Sequence, residues 1–252
     1  MTGFEAGFRV SHIAAFGLAT CCPSEEVISV LSKPALKDFD QIPVRDGKHI
    51  IGVLERGRGA PCGSVRDRMR PLDDSILVSS EEPLNRFLAA LRGAPYRLVV
   101  GGSEINGIVT RSDVGKLPVR LVAFTLVTHL EVVMADAVRE KYGDSPDWLQ
   151  LLRPDQRKTV EDRGEKRRRE NLHIPLLELT GLGHKITTVG KLYGLTGWES
   201  RREEVIGLRN SLDHASDFIE ECRGVNGFLD RLELVDAWIE EVGIRRSGPG
   251  NG

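Results

Sequence analysis

The sequence predicts an α+β protein, with two α/β units followed by an all-α helical bundle. Three observations predict it. Residues 107–113, Gly-Ile-Val-Thr-Arg-Ser-Asp, read as a short buried strand that exits into polar residues. The segments 42–54 and 97–109 align without a gap and place Gly52 and Gly107 55 residues apart. Beyond Pro118 the strand pattern stops and apolar residues recur at helical spacing.

Each copy of the repeat reads as strand, Gly-containing tight turn, strand, which is a hairpin. A helical segment precedes each hairpin. Residues 25–31 carry Val27, Ile28 and Leu31, and residues 81–91 carry Leu84, Phe87, Leu88 and Leu91. These spacings put an apolar stripe on one helix face. Ser80 is the expected N-cap of the second helix. Two helix-hairpin units at a fixed period indicate a duplicated domain.

The chemistry of the second copy lies where its strand ends. A hydroxyl such as Thr110 can bond a phosphate oxygen, and a carboxylate three residues on, Asp113, can accept from two vicinal ribose hydroxyls. Turn chemistry alone also places Thr and Asp at strand ends.

The repeat resembles a tandem pair of CBS domains, a Bateman module. The segment 65–71 before the second copy and the strand 42–44 in the first carry the resemblance, which spans residues 10 to 118. It implies two α/β units packed through their sheets, with a cleft for an adenosine nucleotide such as AMP, ADP or ATP. It assigns phosphate contact to Thr110 and ribose contact to Asp113, with Gly107 and Arg111 in the same motif. The first copy departs from the pattern. Glu55 stands where Thr110 does and Arg58 where Asp113 does. A carboxylate repels phosphate, and an arginine accepts nothing from ribose hydroxyls. At most one nucleotide site is expected, and a scaffold with both sites empty is the alternative.

The second half, residues 119–243, is expected to hold about five helices: one from 119 to 142, one opened by Ser145-Pro146, one from Pro154 to about Asn171, one from Ser200 to near Gly224, and one over 225–242. Ser200 with Glu203 reads as a capping box. Residues 172–199, broken by five glycines, read as short helices and turns. Residues 244–252 read as a disordered tail. Trp148, Trp198 and Trp238 are expected core anchors.

Within the fourth helix, Arg209, Asn210 and His214 can carry chemistry. An arginine can hold a phosphodiester by two parallel bonds and stabilise charge developing on phosphorus. A histidine can move a proton at neutral pH. The stretch resembles the motif of the HEPN superfamily, all-helical and usually dimeric proteins of which many are metal-independent ribonucleases. The resemblance implies a homodimer in which Arg209, Asn210 and His214 act on RNA, and no cofactor is required. Lys166, Arg167, Arg168 and Arg169 form a basic cluster that could bind RNA phosphates, or a solvated helix face.

Composition bounds the rest. Of 252 residues, 40% are hydrophobic and 29% charged, with net charge -2. No global field favours nucleic acid or membrane. Cys21, Cys22, Cys62 and Cys222 lack metal-ligand spacing or a disulfide framework. A cytoplasmic protein is expected. The apolar run 118–138 contains Arg120, His129, Glu131 and Asp136, and reads as a core helix rather than a membrane span.

Overall fold

The computed structural model describes residues 7–60, 62–93, 95–213 and 217–247. The chain divides into two compact units, the first ending at Val119 and the second beginning at Arg120. The fold is α+β.

The first unit opens with a 3₁₀ turn, Val10–His12, and strand β1, Ala15–Phe16. Helix α1, Val27–Leu31, leads to the hairpin of β2, Gln41–Asp46, and β3, His49–Glu55. Then come α2, Val65–Arg68, β4, Arg70–Pro71, β5, Leu77–Ser79, and α3, Leu84–Ala90. A second hairpin follows, β6, Tyr96–Gly101, and β7, Glu104–Thr110, closed by the 3₁₀ turn Arg111–Gly115. Both hairpin tips place a glycine in the left-handed region, Gly47 at φ 59 and Gly102 at φ 64.

The duplication extends to the register. β2 and β3 shift by 55 residues onto β6 and β7, and the bulge between Val44 and Arg45 recurs between Val99 and Val100. The two copies exchange their opening segments. β4, which begins the second copy, pairs with β3 of the first, Pro71 opposite Gly52. β1, which begins the first copy, pairs with β7 of the second, Phe16 opposite Gly107. The preceding turns are exchanged too. The Val65 amide donates to the Glu25 carbonyl and the Val10 amide to the Glu82 carbonyl. One sheet therefore runs β1-β7-β6-β5, with β5 parallel to β6. The other runs β2-β3-β4, extended by a parallel bridge from Cys21 to Val44.

The exchange explains the two conserved-by-period glycines. A Cβ on Gly52 would lie 2.5 Å from the Arg70 carbonyl oxygen, and one on Gly107 3.1 Å from that of Ala15. Buried residues from both copies share one core, Ile50 and Val53 with Ile76, Tyr96 and Leu98. The second helix starts later than expected. Pro83 is itself the N-cap, with its backbone still extended at ψ 131, so α3 begins at Leu84 and Ser80 is not its cap.

The second unit is helical. Helix α4, Leu117–Tyr142, ends where Gly143 turns left-handed at φ 57. A 3₁₀ turn, Pro146–Leu151, is capped by the Ser145 hydroxyl. Then come α5, Pro154–Arg169, α6, Leu182–Tyr193, α7, Trp198–Asp213, α8, Phe218–Glu221, and α9, Gly224–Ser247. α4 is long and apolar enough to cross a membrane by length and composition alone, and half of that stretch is buried in the protein. Trp148, Trp198 and Trp238 are buried. The rings of Trp198 and Trp238 stack at 4.2 Å.

Three helix limits differ from the sequence reading. α7 starts at Trp198, not Ser200, because the chain breaks one residue earlier, at Gly197 with φ 93. The Ser200 hydroxyl donates instead to the Gly197 carbonyl. α7 ends at Asp213, and Asp217 caps a separate helix, α8. Residues 244–247, read as tail, continue α9, where Arg246 pairs with Glu140 of α4. Residues 248–252 lie outside the described residues.

Candidate functional site

Thr110 is the last residue of β7, and Asp113 sits in the 3₁₀ turn that follows. Asp113 is buried and draws the turn together. Its Oδ2 accepts from the Thr110 amide at 2.7 Å and the Thr110 hydroxyl at 3.0 Å. Its Oδ1 pairs with Lys116 Nζ at 2.7 Å. The Lys116 ammonium also donates to the Ile13 carbonyl, so it ties the exchanged opening segment to the site. Two residues that the sequence places three apart are thus brought into direct contact.

This geometry specifies what ligand binding requires. A carboxylate offers about four lone-pair directions, so Asp113 retains capacity for a ribose hydroxyl. The Thr110 hydroxyl donates to Asp113, and it must turn away to donate to a phosphate. Arg111 opens the turn, and its amide donates to the Pro95 carbonyl. Gly107 lies under Phe16, whose ring would meet a Cβ there at 3.1 Å. Phe16 is 52% exposed and supplies an aromatic face beside the strand. Sequence reading missed both Phe16 and Lys116. The i, i+3 spacing of Asp113 and Lys116 was the available signal for the lysine.

The equivalent position of the first copy is a closed polar cluster. Glu55 Oε2 accepts from Arg58 at 2.9 Å, the counterpart of the Thr110–Asp113 contact. Glu55 Oε1 accepts from the buried Tyr96 hydroxyl at 2.7 Å and lies 3.7 Å from Arg70. Burial pushes the Glu55 carboxyl up. The bonds from Tyr96 and Arg58, with the charges of Arg58 and Arg70, outweigh burial and hold it below the usual range. Burial and the bond to Glu55 push the Tyr96 phenol well up. Arg70 is fixed from its other side by Asp73 at 3.1 Å and Ser75 at 2.8 Å.

In the second unit, Arg209 and Asn210 are adjacent and exposed near the end of α7. Arg209 is paired with Asp213 at 2.7 Å. His214 lies outside the described residues. Lys185 of α6 is buried, with its ammonium donating to the Thr180 carbonyl at 2.9 Å and 3.7 Å from Glu131 of α4. Burial lowers its pKa, Glu131 opposes that, and the charges of Arg139 and Arg209 lower it further. Lys166, Arg167, Arg168 and Arg169 occupy the last turn of α5, where positive charge complements the helix dipole. Arg167 pairs with Glu170 and Arg169 with Glu165, so part of this charge is neutralised locally. Among the described residues, no group of three or more His, Cys, Asp or Glu side chains is placed to hold a metal ion.

No family model and no curated protein matches the chain. Among solved structures it is similar to CBSX2 in complex with AMP, at 20% identity over 46% of this chain and 98% of that one, with a TM-score of 0.39. It is similar to the CBS domains of a transcriptional regulator from Streptococcus pneumoniae, at 17% identity over 42% and 96%, TM-score 0.37. A CBS domain pair/ACT domain protein from Thermotoga maritima is similar at 20% identity over 42% and 92%, TM-score 0.35. Each likeness covers less than half of this chain.

Proposed function

We propose that the protein is a nucleotide-sensing regulator, in which residues 10 to 118 act as a CBS pair holding one adenosine nucleotide at Thr110 and Asp113. One observation carries the reading. Two copies with the same register present different chemistry at the same strand end, a hydroxyl–carboxylate pair in one and a carboxylate–guanidinium pair in the other. Only the first of these offers a carboxylate acceptor for a ribose hydroxyl beside a hydroxyl that can turn to phosphate. Binding shifts the unit toward whichever arrangement holds the nucleotide more tightly, and that difference is the only free energy available for signalling.

The test is a thermal-shift titration with AMP, ADP and ATP. At least one nucleotide is expected to raise the melting temperature, by an amount growing with RT ln(1 + [L]/Kd). Asp113→Ala removes the N3 carboxylate that accepts from the Thr110 amide, at about 1 kcal/mol, and is expected to abolish the ligand-dependent shift. No shift with any nucleotide, or the same shift in Asp113→Ala, overturns the site.

A second reading concerns residues 119 to 243. Arg209 and Asn210 are exposed on α7 and so open to a phosphodiester, which favours a HEPN-like ribonuclease; control by the nucleotide site and a homodimeric state are proposed with it. The Asp213 carboxylate must then release Arg209 to the scissile phosphate, while His214 takes the 2′-hydroxyl proton or protonates the leaving 5′-oxygen. RNA incubated with the protein in EDTA is expected to be cleaved by wild type, and at least a hundredfold more slowly by Arg209→Ala and His214→Ala. Equal rates, or no cleavage by wild type, leave the regulator as a non-catalytic dimer that docks onto a partner.

A further inference from the structure

We propose that Arg58, Arg70 and Tyr96 form a second anion-binding site, suited to a phosphate monoester or other small oxyanion, which the chain fills with its own Glu55. The argument is geometric. Two donors and a further cation converge on one carboxylate: the Arg58 guanidinium donates at 2.9 Å, the Tyr96 hydroxyl donates at 2.7 Å, and the Arg70 guanidinium lies at ion-pair distance, 3.7 Å. Arg58 follows β3, Arg70 arrives on the exchanged strand β4, and Tyr96 opens β6 of the other copy.

The site is built rather than incidental. Tyr96 is fully buried, and its hydroxyl has Glu55 as acceptor. Arg70 is only 23% exposed and is oriented by Asp73 and Ser75. Two guanidinium groups and a phenol hydroxyl are the donor set that recognises an oxyanion, in which planar forks bind two oxygens at once. Glu55 supplies that oxyanion from the residue equivalent to Thr110, so the donors at the strand end of the first copy are already occupied by a covalently attached anion. A tethered anion competes at a high effective concentration, which excludes a free one.

The inference does not rest on nucleotide binding at Thr110, so the two fail separately. The experiment uses the full chain with Asp113→Ala, to silence the other site, and inorganic phosphate as probe, followed by calorimetry and phosphorus NMR. Glu55→Ala and Glu55→Thr are compared with Glu55 intact, after a melting curve shows each to be folded. Glu55→Thr keeps a hydroxyl near Tyr96 and restores the residue found at Thr110. Both are expected to bind phosphate at least tenfold more tightly than the parent, and adding Arg70→Ala is expected to remove the gain. The proposal is overturned if folded variants bind no more tightly than the parent, or if the gain survives Arg70→Ala. Unfolding of both variants overturns it too, since Glu55 would then be a structural counter-charge only.

Discussion

Gly52→Ala is expected to cost about 3 kcal/mol or more, at the upper end of overpacking effects, and to disrupt the first unit. The new methyl would sit 2.5 Å from the Arg70 carbonyl oxygen and 2.9 Å from Met69 Sδ. Met69 can move, but the carbonyl belongs to β4, whose register places Pro71 opposite Gly52. The substitution therefore competes with the pairing that joins the two copies. Gly107→Ala, the equivalent change, is expected to cost only about 1 kcal/mol. Its nearest backbone neighbour is at 3.1 Å, and the other close atoms belong to the half-exposed Phe16 ring, which can swing outward. Urea denaturation of both variants measures the difference. A Gly107→Ala variant as damaged as Gly52→Ala would show that strand crossing does not set the requirement for glycine.

In the helical unit the largest single effect is expected from Trp238→Ala, at about 3–5 kcal/mol. Trp198 and Trp238 are each at least 96% buried and lie nearly parallel, 12° apart. Removing one ring leaves a cavity and exposes the face of the other. The Trp198 indole also donates to Glu241 on α9 at 3.0 Å, so the pair fixes the start of α7 against α9. Trp238→Phe keeps a ring in place and is expected to lose about 1–2 kcal/mol. The shift in denaturant midpoint, with tryptophan fluorescence as probe, measures both. A loss below about 1 kcal/mol for Trp238→Ala would place the anchor elsewhere.

The repeat was legible because hairpins carry their pattern locally. Gly52 and Gly107, the alternating apolar residues around them and the turn glycines all lie within single hairpins. The exchange of opening segments was not legible. β1 and β4 are two residues long, too short for any periodicity, and their pairing is decided by partners far away in sequence. The same reason hid the cluster at Glu55. Sequence reading saw that a carboxylate there opposes phosphate. It could not see that Tyr96 and Arg70 arrive from other elements to bind that carboxylate. Helix starts were misplaced where glycine or proline geometry outweighed a favourable cap, at Ser200 after Gly197 and at Ser80 before Pro83. The contact between Thr110 and Asp113 was within reach of the sequence because both belong to one turn, whereas Phe16 comes beside that strand only through β1.

The exchanged openings also set an order in time. Two pairings that are equivalent in the finished fold close very unequal loops. β4 meets β3 by joining residues 53 and 70, while β1 meets β7 by joining residues 15 and 108. The second loop is about five times longer, which costs roughly 1.5 kcal/mol more in closure entropy. As the chain emerges, the sheet containing Glu55 can complete itself first, and its first strand partner is already at hand. The sheet ending at Thr110 is completed only when β7 is made, some ninety residues after β1, which stays unpaired until then. The half of the module proposed to sense a nucleotide is thus also the half that is assembled last, by the more costly closure.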